Sequence, residues 1–143
     1  MSGPHPLPKL NFSQVLRPTE KAYTLPPACY VDEEILAFEQ EHLFAEGWVS
    51  AGRVKDLTHP GDYLAFSVAN TPLIATRGDD DRLRVFANTC RHRGMRLVEA
   101  GRGQCRQFVC PFHAWCYRLD GSLSAAPRME GADGFDLADF SLV

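Results

Sequence analysis

The apolar positions of this chain change period near residue 48. Over residues 31–47, Ile35, Phe38, His42 and Leu43 recur at helical spacing on one face, with Leu36 and Phe44 at its edge. Asp32 suits an N-cap, Glu33 and Glu34 suit the positive end of a helix dipole, and Gly47 suits a C-terminal stop. The pattern predicts a helix over 32–46. From residue 48 the apolar residues fall in short runs of Val, Leu, Phe and Tyr separated by turn chemistry at His59-Pro60-Gly61, Asn70-Thr71-Pro72, 78–81 and Asp120-Gly121. Strands are expected near 48–54, 63–68, 73–76, 83–88, 107–109, 115–119 and 122–125. Short strands joined by hairpin turns predict a mainly β, antiparallel sandwich or small barrel with one N-terminal helix.

The first 28 residues lack either period. Six of the ten prolines lie within the first 27 residues, so 1–28 reads as a Pro-rich extended arm, followed by a domain over 29–143. The first ten residues hold no apolar h-region of the secretory kind, which predicts a cytoplasmic protein. No apolar run approaches the roughly 20 residues of a membrane span, so no membrane partner is expected. A net charge of −3 argues against nucleic acid, although Arg91, Arg93, Arg96, Arg102 and Arg106 make a local basic cluster. The segment 129–143 shows no obvious final element, which suggests a piece of something longer.

Five cysteines fit a complete disulfide framework poorly and a reduced, metal-binding set better. Cys90-Arg91-His92 and Cys110-Pro111-Phe112-His113 each put a thiolate and an imidazole on one short loop, with 17 residues between the loops. Structural zinc would accept two Cys and two His, but zinc loops more often pair cysteine with cysteine as Cys-X2-Cys. A [2Fe–2S] centre in which two histidines replace two cysteines on one iron takes one ligand of each kind from each loop. The alternation favours the second reading and makes Cys90, His92, Cys110 and His113 the cofactor ligands. Cys29, Cys105 and Cys116 fit neither motif and are expected to be core thiols.

Cys90-Arg-His-Arg-Gly94 and Cys110-Pro-Phe-His-Ala-Trp115, followed by Tyr117-Arg-Leu-Asp-Gly121, resemble the Rieske domain of ring-hydroxylating-type oxygenase α subunits. The likeness reaches back through Phe44-Ala-Glu-Gly-Trp48, Pro60-Gly-Asp-Tyr63 and Val85-Phe-Ala-Asn88, covering roughly residues 23–143. It implies an antiparallel β domain with a cluster-binding lobe, and electron input from a ferredoxin or flavin reductase. It also implies an acceptor in an oxygenase catalytic domain or a neighbouring α subunit. That acceptor would be a mononuclear Fe(II) held by two histidines and a carboxylate, for aromatic-ring hydroxylation or a related oxidative demethylation. His5, His42 and His59 lack the spacing for that second iron, so no catalytic residue is expected here, and a stand-alone Rieske ferredoxin is the alternative.

Respiratory Rieske proteins carry a disulfide between the loops, at the positions of Met95 and Phe112, and a serine near the cluster sulfur where this chain has Trp115. Losing that hydrogen bond leaves the reduced cluster less stabilised. The expected potential is at the low end of the Rieske range, about −150 mV rather than near +300 mV. Phe112 and Trp115 are expected to act as apolar cover.

Overall fold

The structure, a computed structural model, describes residues 10–143; residues 1–9 of the predicted arm, with His5, lie outside the described residues. The chain forms two compact units, one ending at Val49 and one spanning Ser50–Val143. In the first, the arm is not uniformly extended. It turns at Phe12, whose carbonyl accepts from the amides of Val15 and Leu16 at 3.0 and 3.1 Å, and makes one 3-10 turn over Thr19–Lys21.

Two short helices follow, α1 (Ala28–Val31) and α2 (Glu33–Glu39), with a π turn over Gln40–Phe44. Asp32 separates the two helices. Its extended backbone stops α1, and its carboxylate accepts from the Glu34 amide at 2.9 Å to cap α2. The single helix expected over 32–46 is therefore shorter and loosens at its end. The π turn, closed by the Ala45 amide on the Gln40 carbonyl at 3.1 Å, places an extra residue in that turn. Leu43 and Phe44 consequently rotate off the face held by buried Ile35 and half-buried Phe38 and His42, and are exposed. At Gly47 any Cβ would strike the Leu43 carbonyl, which fixes glycine as the stop.

The second unit contains two open antiparallel sheets, with no closed barrel among the described residues. Strands β1 (Asp62–Val68), β2 (Thr71–Arg77), β3 (Leu83–Ala87) and β4 (Gly101–Gln104) run in the order β3-β2-β1-β4. Strands β5 (Phe108–Val109), β6 (Cys116–Tyr117) and β7 (Leu123–Ala125) form the smaller sheet in chain order. The strand expected over 48–54 is absent. Gly52, at φ 147°, breaks extended L-residue geometry there, and only a 3-10 turn follows at Val54–Asp56.

Conversely, β4 has no apolar residue to announce it. Its place is set by tertiary pairing: Ala65 faces Gly101 and Asp62 faces Gln104, whose amide donates to the Asp62 carboxylate at 3.0 Å. The Tyr63 ring lies where a Cβ of Gly103 would be, so only glycine lets that ring cross the strand.

Both sheets contribute to one core of Ile74, Phe86, Phe108, Tyr117 and Leu123, joined by Leu97, Trp115, Leu119 and Leu142. The segment after residue 129 is part of it. Phe135 and Phe140 meet Trp115 edge-on at 5.7 and 5.6 Å, and the Leu142 amide donates to the Gly121 carbonyl at 2.8 Å. No helix is long and apolar enough to cross a membrane among the described residues.

Candidate metal centre

Beyond β3 and beyond β5 the chain makes the same loop twice. The Cys90 amide donates to the Met95 carbonyl at 2.8 Å, and the Gly94 amide returns to the Cys90 carbonyl at 2.9 Å. The Cys110 amide donates to the Trp115 carbonyl at 2.8 Å, and the Ala114 amide returns to the Cys110 carbonyl at 3.0 Å. In each loop the fourth residue after cysteine is left-handed, Gly94 at φ 71° and Ala114 at φ 56°. The loops are thus equivalent although histidine follows cysteine by two residues in one and by three in the other.

Ala114 occupies a conformation that costs an L-residue about 1–2 kcal/mol, offset in part by the unfolded-state entropy that glycine adds. Ala114→Gly is expected to raise stability by about 0.5–1 kcal/mol. A shift of the denaturation midpoint to higher denaturant at unchanged slope would verify it.

The first loop is pinned at its base by Asn88, a buried side chain. Its Oδ1 accepts from the amides of Leu97 and Val98, each at 3.1 Å, and its Nδ2 donates to the Val98 carbonyl at 2.7 Å. These bonds hold Cys90 at the edge of the core, where it is 2% exposed; Cys110 is likewise 2% exposed. The two thiols lie close enough to interact directly. Both are free thiols. Burial pushes the Cys90 thiol up, opposed by its hydrogen bond to Tyr117 and by the His92 amide.

The imidazoles of His92 and His113 are half-buried, with ring centroids 4.8 Å apart. Burial first, then the charges of His92, Arg93 and Arg128, draws His113 below the usual histidine range, which favours its neutral form. Its Nδ1 is buried without a hydrogen-bond partner. His92 stacks on the indole of Trp115 at 4.7 Å and 10°, and Trp115 is fully enclosed. Phe112, at 4.0 Å from the His113 ring, is 57% exposed, so of the two expected cover residues only Trp115 excludes water.

The predicted ligands are therefore brought together in two pairs, the thiols of Cys90 and Cys110 and the imidazoles of His92 and His113. One residue beyond them belongs to the site: the Tyr117 hydroxyl lies 3.2 Å from the Cys90 sulfur and accepts the Arg91 amide at 2.9 Å. With Cys90 as a thiolate, which has no proton to give, the phenolic O–H is the donor of this pair. A contact across 27 positions leaves no local signal in the sequence. The other cysteines stand apart. Cys105 is half-buried against the core, Cys116 donates to the Ala114 carbonyl at 3.3 Å, and Cys29 lines an apolar pocket of about 250 Å³ in the first unit.

The donor set fits a two-iron cluster better than a single ion. No three His, Cys, Asp or Glu side chains converge on one point among the described residues, whereas a cluster bridged by sulfide asks only two protein ligands of each iron. The orphaned His113 Nδ1 is what a buried ligand nitrogen presents before metal satisfies it.

The sequence matches the family model of the Rieske [2Fe-2S] domain over residues 47–140. The chain belongs to the Rieske [2Fe–2S] domain family, and its cofactor is the cluster of that family. It is 32% identical over 130 residues to the oxygenase subunit of glycine betaine monooxygenase from Pseudomonas aeruginosa, covering 91% of this chain and 30% of that protein. The quaternary ammonium Rieske monooxygenase CntA, solved in complex with L-carnitine, superposes with a TM-score of 0.76 at 35% identity, covering 85% of this chain and 35% of that one. Naphthalene 1,2-dioxygenase from a Rhodococcus species gives 0.77 at 31%, covering 84% and 28%. The chain spans about a third of the length of the first curated relatives it matches.

Proposed function

We propose that Cys90 and Cys110 hold one iron of the cluster at the core edge and His92 and His113 hold the other at the surface. The chain then works as a one-electron relay of low potential. The observation that carries this is the pairing of two enclosed thiols with two half-buried imidazoles, one Nδ1 of them orphaned, on two equivalent loops. When bound, the cluster stores a single electron. The residues do the rest. Trp115 and the core keep water from the sulfur side, Tyr117 donates to Cys90, and the imidazole edges give electrons a short path to the surface.

The electron comes from a ferredoxin or flavin reductase and passes to a mononuclear iron in an oxygenase catalytic domain or a neighbouring α subunit, in the cytoplasm. Likeness to enzymes named for glycine betaine and carnitine favours a quaternary ammonium substrate and oxidative demethylation over ring hydroxylation. Low-temperature EPR of the reduced protein tests the ligand set. The expected spectrum has the lowered average g of a cluster with two nitrogen ligands. An average g like that of all-cysteine clusters, or a colourless protein with one tightly bound zinc, overturns it.

A further inference from the structure

Two enclosed residues of the second loop and its outgoing strand reach across to the ligands of the first loop. The Tyr117 hydroxyl lies 3.2 Å from the Cys90 sulfur, and the Trp115 indole lies flat against the His92 imidazole at 4.7 Å and 10°. Trp115 and Tyr117 are two positions apart, as side chains on one face of extended backbone are, and Cys90 and His92 are two apart as well. The two pairs therefore meet in antiparallel order, Tyr117 on Cys90 and Trp115 on His92. That register gives the shorter cysteine-to-histidine spacing of the first loop a physical reason. The first loop, 89–98, has no aromatic residue besides His92 to offer in return.

Trp115 is itself held. Phe135 and Phe140 meet the indole edge-on at 5.7 and 5.6 Å and stack on each other at 4.9 Å. The indole Nε1 is enclosed with no hydrogen-bond partner among the described residues, so packing orients the ring. At interior packing density, a parallel ring backed in this way opposes rotation of the imidazole out of its plane. His113 lacks this support. It meets the His92 ring edge-on at 4.8 Å, and its other ring neighbour is Phe112, which is more than half exposed.

We propose that Trp115 is a positioning residue: from the opposite loop it sets the plane of the His92 imidazole, with Phe135 and Phe140 behind it, and leaves His113 the less constrained of the two histidines. The inference rests on the ligand set proposed above. A neighbour that fixes the plane of a ligand ring also fixes how that ring's nitrogen meets the metal, so its loss is read in the ligand's own spectroscopic signal.

Pulsed EPR of the reduced protein, which reads a nitrogen coupling from each histidine ligand, tests it. Trp115→Leu, which keeps apolar cover without a ring, is expected to shift and broaden one of the two couplings and leave the other in place. Trp115→Phe, which keeps a flat ring, is expected to hold that coupling closer to wild type than Trp115→Leu does. Leu119→Ala, a truncation of an equally enclosed residue in the same core, is expected to lower stability and leave both couplings alone. Phe112→Ala, beside His113, is expected to spare the coupling that Trp115→Leu moves. Should Trp115→Leu fail to fold, Phe140→Leu, which frees one edge of the indole, carries the same expectation.

Two unchanged couplings in the variant read, or an equal disturbance of both, overturns the positioning role alone. The same disturbance in Leu119→Ala overturns it too, because general loosening of the core would then suffice. If Phe112→Ala moves the same coupling, the constrained ligand is His113 and the proposal fails. Wild-type protein without two nitrogen couplings overturns the ligand reading first.

Discussion

Cys110→Ser is expected to purify colourless, with iron and acid-labile sulfide near background. Cys105→Ser and Cys116→Ser are expected to keep the full visible spectrum. The contrast follows from position. Cys110 is enclosed at the core edge opposite Cys90, in the loop that the Trp115 carbonyl closes, and a serine hydroxyl there is a far poorer iron ligand than a thiolate. Cys105 and Cys116 have burial or hydrogen bonds of their own that point elsewhere. Loss of colour through misfolding is a separate outcome. Far-UV circular dichroism of Cys110→Ser should therefore be compared with wild-type protein stripped of iron. Matching spectra assign the loss to the ligand. A bleached Cys105→Ser with native dichroism would show that the ligand set had been misread.

The proposed ligand set could be drawn from the sequence because each half of it is local. A cysteine and a histidine two or three residues apart must share a loop, and the alternation of the two kinds favours the cluster over zinc. The cap at Asp32 and the turn at 78–81 are local in the same sense, and so were legible too; the turn expected at 70–72 falls at 69–70, with Thr71 and Pro72 already in β2. What escaped is what distance decides. Strand β4 reads Gly-Arg-Gly-Gln and exists because β1 needs an edge partner and Tyr63 needs room over Gly103. The run at 48–54 has strand-like residues but, with Gly52 at φ 147°, it forms no ladder. The equivalence of the two loops was hidden by unequal spacing to histidine. It resides in backbone hydrogen bonds and in the left-handed residue at 94 and 114, where one loop uses glycine and the other tolerates alanine.

Tyr117 is the most consequential of these, because it bears on the potential. Reading Trp115 in place of serine removes one donor to sulfur and predicts a low potential; the Tyr117 hydroxyl, 3.2 Å from the Cys90 sulfur, restores one of a different kind. A donor to a cluster thiolate stabilises the reduced, more negative state over the oxidised one, so it raises the potential. Tyr117→Phe is therefore expected to shift the midpoint downward. If the bond differs by about 1–1.4 kcal/mol between redox states, the shift is about 40–60 mV at 59 mV per 1.4 kcal/mol for one electron.

The same substitution orphans the Arg91 amide, which the phenol accepts at 2.9 Å, and that loss is expected to cost about 1–3 kcal/mol of stability. The two effects separate by measurement. Redox titration followed in the visible spectrum reads the sulfur bond, and chemical denaturation reads the amide. A stability loss with an unmoved midpoint would mean that Tyr117 braces the first loop without donating to sulfur. The low potential would then rest on the missing serine alone.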